Sequence, residues 1–372
     1  MSQLLVAVLL VAGLCLAACT KKPSENAAPG SEEKVLLIYN WVDFIGKSTV
    51  ADFERETGIR VVYDTFDADV TLEAKLMAGD SGYDVVATAQ DFFSRQIKAG
   101  AYERLDHRLL TNWSNLDPKA LQALTQADPG NAYAVPYLNS LNGFAYNADL
   151  IRARMPDAPV DSLRMLFDPV VVSKFADCGV SFLDSAEDVV QLALVYLGRD
   201  PNSRDPKDLK DVEKLIAKVR PYIRNFDSSE FLVAMANKEL CIAMSWASDY
   251  ATIKARARAA GIAINLAFTV PKEGSNAAFT CFLIPAGAPH PENAHRFLNF
   301  ILRPRVIAKI TNEIHYPNPN LASAPFIDAA IVNDPALYPP PSILSHTFLA
   351  TEVSVEDERR RTRTWTRIKT NH

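Results

Sequence analysis

Cys241-Ile242-Ala243-Met244-Ser245-Trp246-Ala247-Ser248-Asp249-Tyr250 is a short apolar run that ends in a tryptophan and, three residues later, a carboxylate. Too short for a helix, the run predicts a buried parallel strand, and in open α/β sheets the residues just past a strand's carboxyl end face the ligand crevice. The arrangement returns near the other end of the chain. Val35-Leu36-Leu37-Ile38-Tyr39-Asn40 predicts a second apolar strand, and it too runs out into a tryptophan and a carboxylate, Trp41 and Asp43. Aromatic faces attract an organic cation through the ring quadrupole, and a carboxylate adds charge-assisted hydrogen bonds, so together they suit a cationic amine. The competing reading is that both tryptophans fill core; the repeated strand-Trp-Asp arrangement weighs against it.

Working outward, the pattern from Lys34 is β-α-β. Ser48 is a candidate N-cap for a helix whose Val50 and Phe53 share a face; Gly58 ends it, and Ile59 to Tyr63 forms the next strand. Leu72, Leu76 and Met77 make a helical stripe that Gly79 stops, after which residues 84–88 read as a third strand. Alternating strands and helices predict an α/β fold with a parallel sheet flanked by helices. Asp91 follows the third strand, where it faces the same crevice or caps the helix 92–99. Residues 133–137 and 143–147 read as two extended pieces separated by a polar bend, a pair suited to crossing between lobes. Glu187 falls in the first turn of a helix beginning near Ser185, where a carboxylate also serves simply to stabilise the helix N-terminus. Strands 265–270 and 279–284 are read as the return to the first lobe, and Pro304 as the first turn of a new helix after the helix 292–302. Six basic residues between Arg359 and Lys369 predict a solvated helix or edge.

The 372 residues are 48% hydrophobic and 22% charged with a net charge of -5, ordinary soluble composition and long enough for two lobes with separate cores. Such a balance points to neither nucleic acid nor a strongly anionic surface as a partner, so affinity must come from a local site. Residues 4–18 form an apolar stretch too short to span a bilayer comfortably and ending in small residues, the signature of a secretory signal, here 1–18. Leu16-Ala17-Ala18-Cys19 resembles the lipobox of bacterial lipoproteins, which implies lipid at Cys19 and a polar tether over 19–33. No Lys or Arg precedes the apolar stretch, a departure from the usual signal. Of five cysteines, Cys15 leaves with the signal and Cys19 takes lipid. The remaining Cys178, Cys241 and Cys281 permit one bridge with a sulfur left over, expected as Cys178 with Cys241, or three buried thiols; spacing does not choose.

No G-x-S-x-G, H-E-x-x-H, P-loop or dinucleotide fingerprint occurs, and neither the six histidines nor the cysteines have metal-ligand spacing. The expectation is binding without turnover, with no cofactor and no metal.

From about Lys34 onward the chain resembles the periplasmic polyamine-binding proteins of ABC importers, and among them the putrescine-binding proteins. The resemblance rests on IYNW at 38–41, FERETGIRVVYD at 53–64, KLMAG at 75–79, CGVSFLD at 178–184, SWASD at 245–249, PKEG at 271–274, FLNFILRP at 297–304 and YPP at 338–340. It implies a two-lobed periplasmic-binding-protein fold of type II, each lobe a mixed sheet flanked by helices, closing on its ligand about a hinge. The lobes are expected over 34–137 with 262–312 and over 138–261 with 313–372. It also implies a Cys178–Cys241 disulfide, Trp41 and Trp246 as walls on the ligand's methylenes, Asp249 as a main ammonium partner, and Glu187, Tyr316 and Asp43 as further polar contacts. Implied partners are a polyamine and inner-membrane ABC permease subunits, with the protein a periplasmic monomer anchored by lipid at Cys19. Several positions depart from the putrescine pattern: Val42, Phe44, Ala89, Ala278 and Thr280, the last standing where the family has a second ammonium-binding acid. Either another acid such as Asp91 substitutes, or the solute is a different amine or an amino-acid-like molecule. A ligand sensor without transport is the alternative of a different class.

Overall fold

A computed structural model describes residues 32–66, 69–79 and 81–370. The signal, Cys15, Cys19 and most of the tether lie outside the described residues.

The first lobe begins with strand β1 (Val35–Trp41), helix α1 (Thr49–Thr57), strand β2 (Arg60–Phe66), helix α2 (Asp69–Met77), strand β3 (Val85–Ala89) and helix α3 (Gln90–Lys98). Both predicted glycine stops hold: Gly58 and Gly79 adopt positive φ, a conformation that costs glycine no Cβ clash. β1 pairs in parallel with β2 and β3. Its side chains alternate between two apolar layers, Leu36 and Ile38 on one face and Tyr39 on the other, as a strand covered on both faces requires. Leu72 and Leu76 are buried, but Met77 is half exposed, so the α2 stripe is narrower than its sequence suggests.

The polar bend expected between residues 137 and 143 is absent. A single strand, β4 (Ala134–Asn147), runs through it, with only a register irregularity between Pro136 and Leu138. Strand β5 (Val180–Phe182), strand β6 (Asn225–Phe226), strand β7 (Ile242–Trp246), strand β8 (Leu266–Thr269), strand β9 (Ser275–Leu283) and strand β10 (Thr347–Phe348) complete the sheet. Its order is β2-β1-β3-β9-β4-β7-β5-β6, with β8 on β4 and β10 on β9. β7 is parallel to β5, as predicted, and antiparallel to β4. The first half of β4 pairs with β9 and the second half with β7 and β8, so one strand serves both lobes.

β8 was expected to begin the return to the first lobe. It pairs with Phe144–Asn147, and Leu266 packs with Phe144, Phe182, Met244 and Ile253, while β9 pairs with both β3 and the first half of β4. Gly143 permits this pairing, since a Cβ there would meet the Thr269 carbonyl at 2.1 Å. The basic stretch forms the helix Val355–Thr370, but it is not simply solvated: Trp365 and Ile368 are buried in the second core, while Arg367 reaches Glu213 and Lys369 reaches Asp184. Cys178 and Cys241 form the disulfide, with Cα atoms 5.7 Å apart, and Cys281 is a buried free thiol. No described helix is long and apolar enough to cross a membrane.

Candidate functional site

The carboxyl ends of β1 and β3, the middle of β4 and β9, and the end of β7 surround a cavity of about 350 Å3. It is lined by Trp41, Val42, Phe44, Ala89, Leu138, Asn139, Ser140, Trp246, Ala278, Thr280 and Tyr316. Four of the eight residues expected from the sequence are therefore in the wall: Trp41, Trp246, Thr280 and Tyr316.

Local bonding sets the first wall. Asn40, fully buried at the end of β1, turns its amide to the Phe44 carbonyl at 3.2 Å and to the Tyr63 hydroxyl at 2.9 Å, and its side-chain oxygen accepts from the Trp41 N–H. The Tyr137 hydroxyl donates to the same Phe44 carbonyl. Thus the loop after Trp41 is pinned from two strands. Trp41 packs on Phe66 at 4.6 Å between centroids, and Phe44 meets Tyr316 edge-on at 4.7 Å. Asp43, at the tip of this loop, has φ +57 and is exposed.

On the other side, Trp246 is the capping residue of the helix Ala247–Ala259, and Asp249 in that helix's first turn accepts the Trp246 N–H at 3.0 Å. This explains the three-residue spacing: a carboxylate there reaches back to the helix start and holds the ring at the strand's end. Burial pushes the Asp249 carboxyl up to about 7, against the pull of that N–H. Tyr316 stands beside Asp249 and Ser248, and burial raises its phenol well above the ordinary range. Its backbone carbonyl accepts from Thr311.

The remaining predicted residues stand outside the wall. Asp91 is half-buried in the first turn of α3, with Arg95 one turn on; the capping residue is Ala89, so the cap predicted at Asp91 falls two residues too late. Glu187, in the first turn of the helix Ala186–Tyr196 capped by Ser185, lies 3.5 Å from the Arg361 guanidinium. Its neighbour Asp188, which the sequence did not single out, is buried beside Asn142, and burial pushes its carboxyl up to about 7. Sequence reading also passed over Leu138, Asn139 and Ser140, although an Asn-Ser pair inside an otherwise apolar extended stretch was a usable signal. Among the described residues, no group of three His, Cys, Asp or Glu side chains is placed to hold a metal.

Comparison with known proteins places the chain in a family. The family described as bacterial extracellular solute-binding protein matches residues 48–339. The chain is 41% identical over 343 residues to the putrescine-binding periplasmic protein SpuD of Pseudomonas aeruginosa, covering 92% of this chain and 94% of that protein. It is 42% identical over 341 residues to the putrescine-binding periplasmic protein PotF of Escherichia coli, covering 91% and 92%. Among solved structures, the spermidine/putrescine substrate-binding protein PotD of Streptococcus pneumoniae superposes with a TM-score of 0.80 at 24% identity, covering 91% of this chain and 99% of that one.

Proposed function

The chain belongs to the bacterial extracellular solute-binding proteins, and from that premise we propose that it captures a polyamine-class cation, putrescine-like, between its lobes and delivers it to an ABC permease in the inner membrane. The observation that carries this reading is the convergence of Trp41, Trp246 and Tyr316 on one cavity, with Asp249 held directly behind Trp246. Ring faces take the methylenes and the cation's charge, and a carboxylate adjoining them compensates an ammonium as it leaves water. The role is that of a binding receptor, not an enzyme, like the relatives named above. Their periplasmic location supports the same compartment here, and the Cys178–Cys241 bridge suits it.

Within this reading, Trp41 and Trp246 sandwich the alkyl chain, Asp249 and Tyr316 take one ammonium, and Thr280 lies under the other end of the ligand. Asp43, Asp91 and Glu187 stand outside that wall, and in this reading they draw the cation toward the cavity rather than pair with it once it is bound. In this reading the lobes run over 34–137 with 262–312 and over 138–261 with 313–372, and the pairing of β8 with the end of β4 supports counting β8 with the second. Lipid at Cys19 tethers a monomer that has no nucleic-acid partner.

Calorimetric titration of protein unfolded and refolded to strip carried-over ligand tests the proposal, using putrescine, spermidine and a panel of amino acids. Heat with the amines but not the amino acids is expected. Trp246→Ala should weaken amine binding about tenfold, the order expected for a desolvated cation–π contact of roughly 1–2 kcal/mol. No heat with either amine would overturn it.

A further inference from the structure

The cavity is electrostatically lopsided along β4. Asn142 is the register partner of Trp246, Ser140 of Ala278, and Leu138 of Thr280, which in turn pairs with Ala89. One end of the cavity is thus marked by Trp246, with Asp249 behind it, and the other by Thr280 and Ala89, about 13 Å along the strand at roughly 3.3 Å per residue.

No residue of the wall is an acid. Asp249 adjoins the Trp246 end, whereas the polar side chains that β4 and β9 give the wall, Thr280 at the far end with Asn139 and Ser140 between the ends, are uncharged. Ser140 is 8% exposed and its hydroxyl has no hydrogen-bond partner in the protein, so the wall presents a buried group that asks for one from a ligand. Asp91, in the first turn of α3, stands outside the wall and shares the field of Arg95. Asp43 is on the exposed loop beyond Val42.

Resting on the polyamine-class reading above, we propose that the preferred ligand carries one ammonium, held at the Asp249 end, and a neutral hydrogen-bonding group at the Thr280 end, as in a mono-N-acylated diamine. Hydroxyls such as those of Ser140 and Thr280 both donate and accept, which matches an amide's carbonyl and N–H. A second ammonium placed among them would be desolvated without a countercharge. Thr280, together with Ala89 and Ala278, then determines specificity by what it lacks.

Titration of the purified wild-type protein with N-acetylputrescine and with putrescine tests this without any variant. N-acetylputrescine is expected to bind at least tenfold more tightly. Putrescine binding as tightly or more tightly would overturn the inference and leave the polyamine-class reading intact, whereas heat with neither ligand would remove both. Thr280→Asp, checked for an unchanged melting profile, should reverse the order of the two ligands; an unchanged preference in a folded variant would also overturn the inference.

Discussion

At the scale of single residues, Asp249 does two jobs that pull against each other. Its bond to the Trp246 N–H fixes the ring, and its burial raises the carboxyl to about 7, so near neutral pH the empty site holds a proton for part of the time. An incoming ammonium favours the ionised form. Binding therefore releases protons near and below pH 7, and affinity rises as pH climbs through that value, then levels off. Titration at several pH values, in buffers of differing ionisation heat, should show the released proton. Asp249→Asn should bind about 10 to 100 times more weakly, matching the roughly 1.5–3 kcal/mol of a hydrogen bond to a charged group, and lose this pH dependence. A pH profile unchanged by the substitution would place the titrating group elsewhere, with the equally raised Asp188 the first alternative.

At the scale of elements, β4 is the organising piece. Its early half holds β9, its later half holds β7 and β8, and its middle supplies Leu138, Asn139 and Ser140 to the cavity. The sequence there reads as two strands and a bend because Asn139, Ser140 and Asn142 are polar, yet the chain does not turn: Asn139 and Ser140 line the cavity and Asn142 stands beside Asp188. Gly143 sits at the switch from one pairing to the other. Gly143→Ala would force the Thr269 carbonyl away from β4 and crowd the Phe268 ring, which a Cβ would meet at 2.8 Å. Overpacking of this kind costs about 1–3 kcal/mol, so the melting temperature should fall; an unchanged melt would mean that β8 yields freely.

At the scale of the whole molecule, the lobes share more than the two long strands. The segment after β10 crosses between them: Thr351 and Leu349 bond to Asn202 of the second lobe, while Glu352 accepts from Ser94 and Lys98 on α3 of the first. Arg95, paired bidentately with Glu73, also faces Glu358 at 3.7 Å. None of these residues lines the cavity, which leaves ligand contacts to set how far the lobes close. Saturating amine should reduce the radius of gyration in small-angle scattering and raise the melting temperature, with about 2.7 kcal/mol of added stability when free ligand is 100 times Kd. A ligand that binds without either change would mean that no closure accompanies capture.

The sequence by itself determined the strand-helix alternation, the glycine stops after α1 and α2, and the placement of Trp41 and Trp246 at strand ends, because each follows from local periodicity and local backbone freedom. It also carried the Trp246-Asp249 spacing, whose reason is a one-turn helix start. Only the tertiary structure decided that β8 pairs with the end of β4, that the basic stretch near residue 360 buries Trp365, and that Asp43, Asp91 and Glu187 stand outside the wall that Leu138, Asn139 and Ser140 complete. Those outcomes depend on strand register and on which distant element covers a face. Pairing energy of that kind is spread over contacts between residues far apart in the chain, and no local pattern records it.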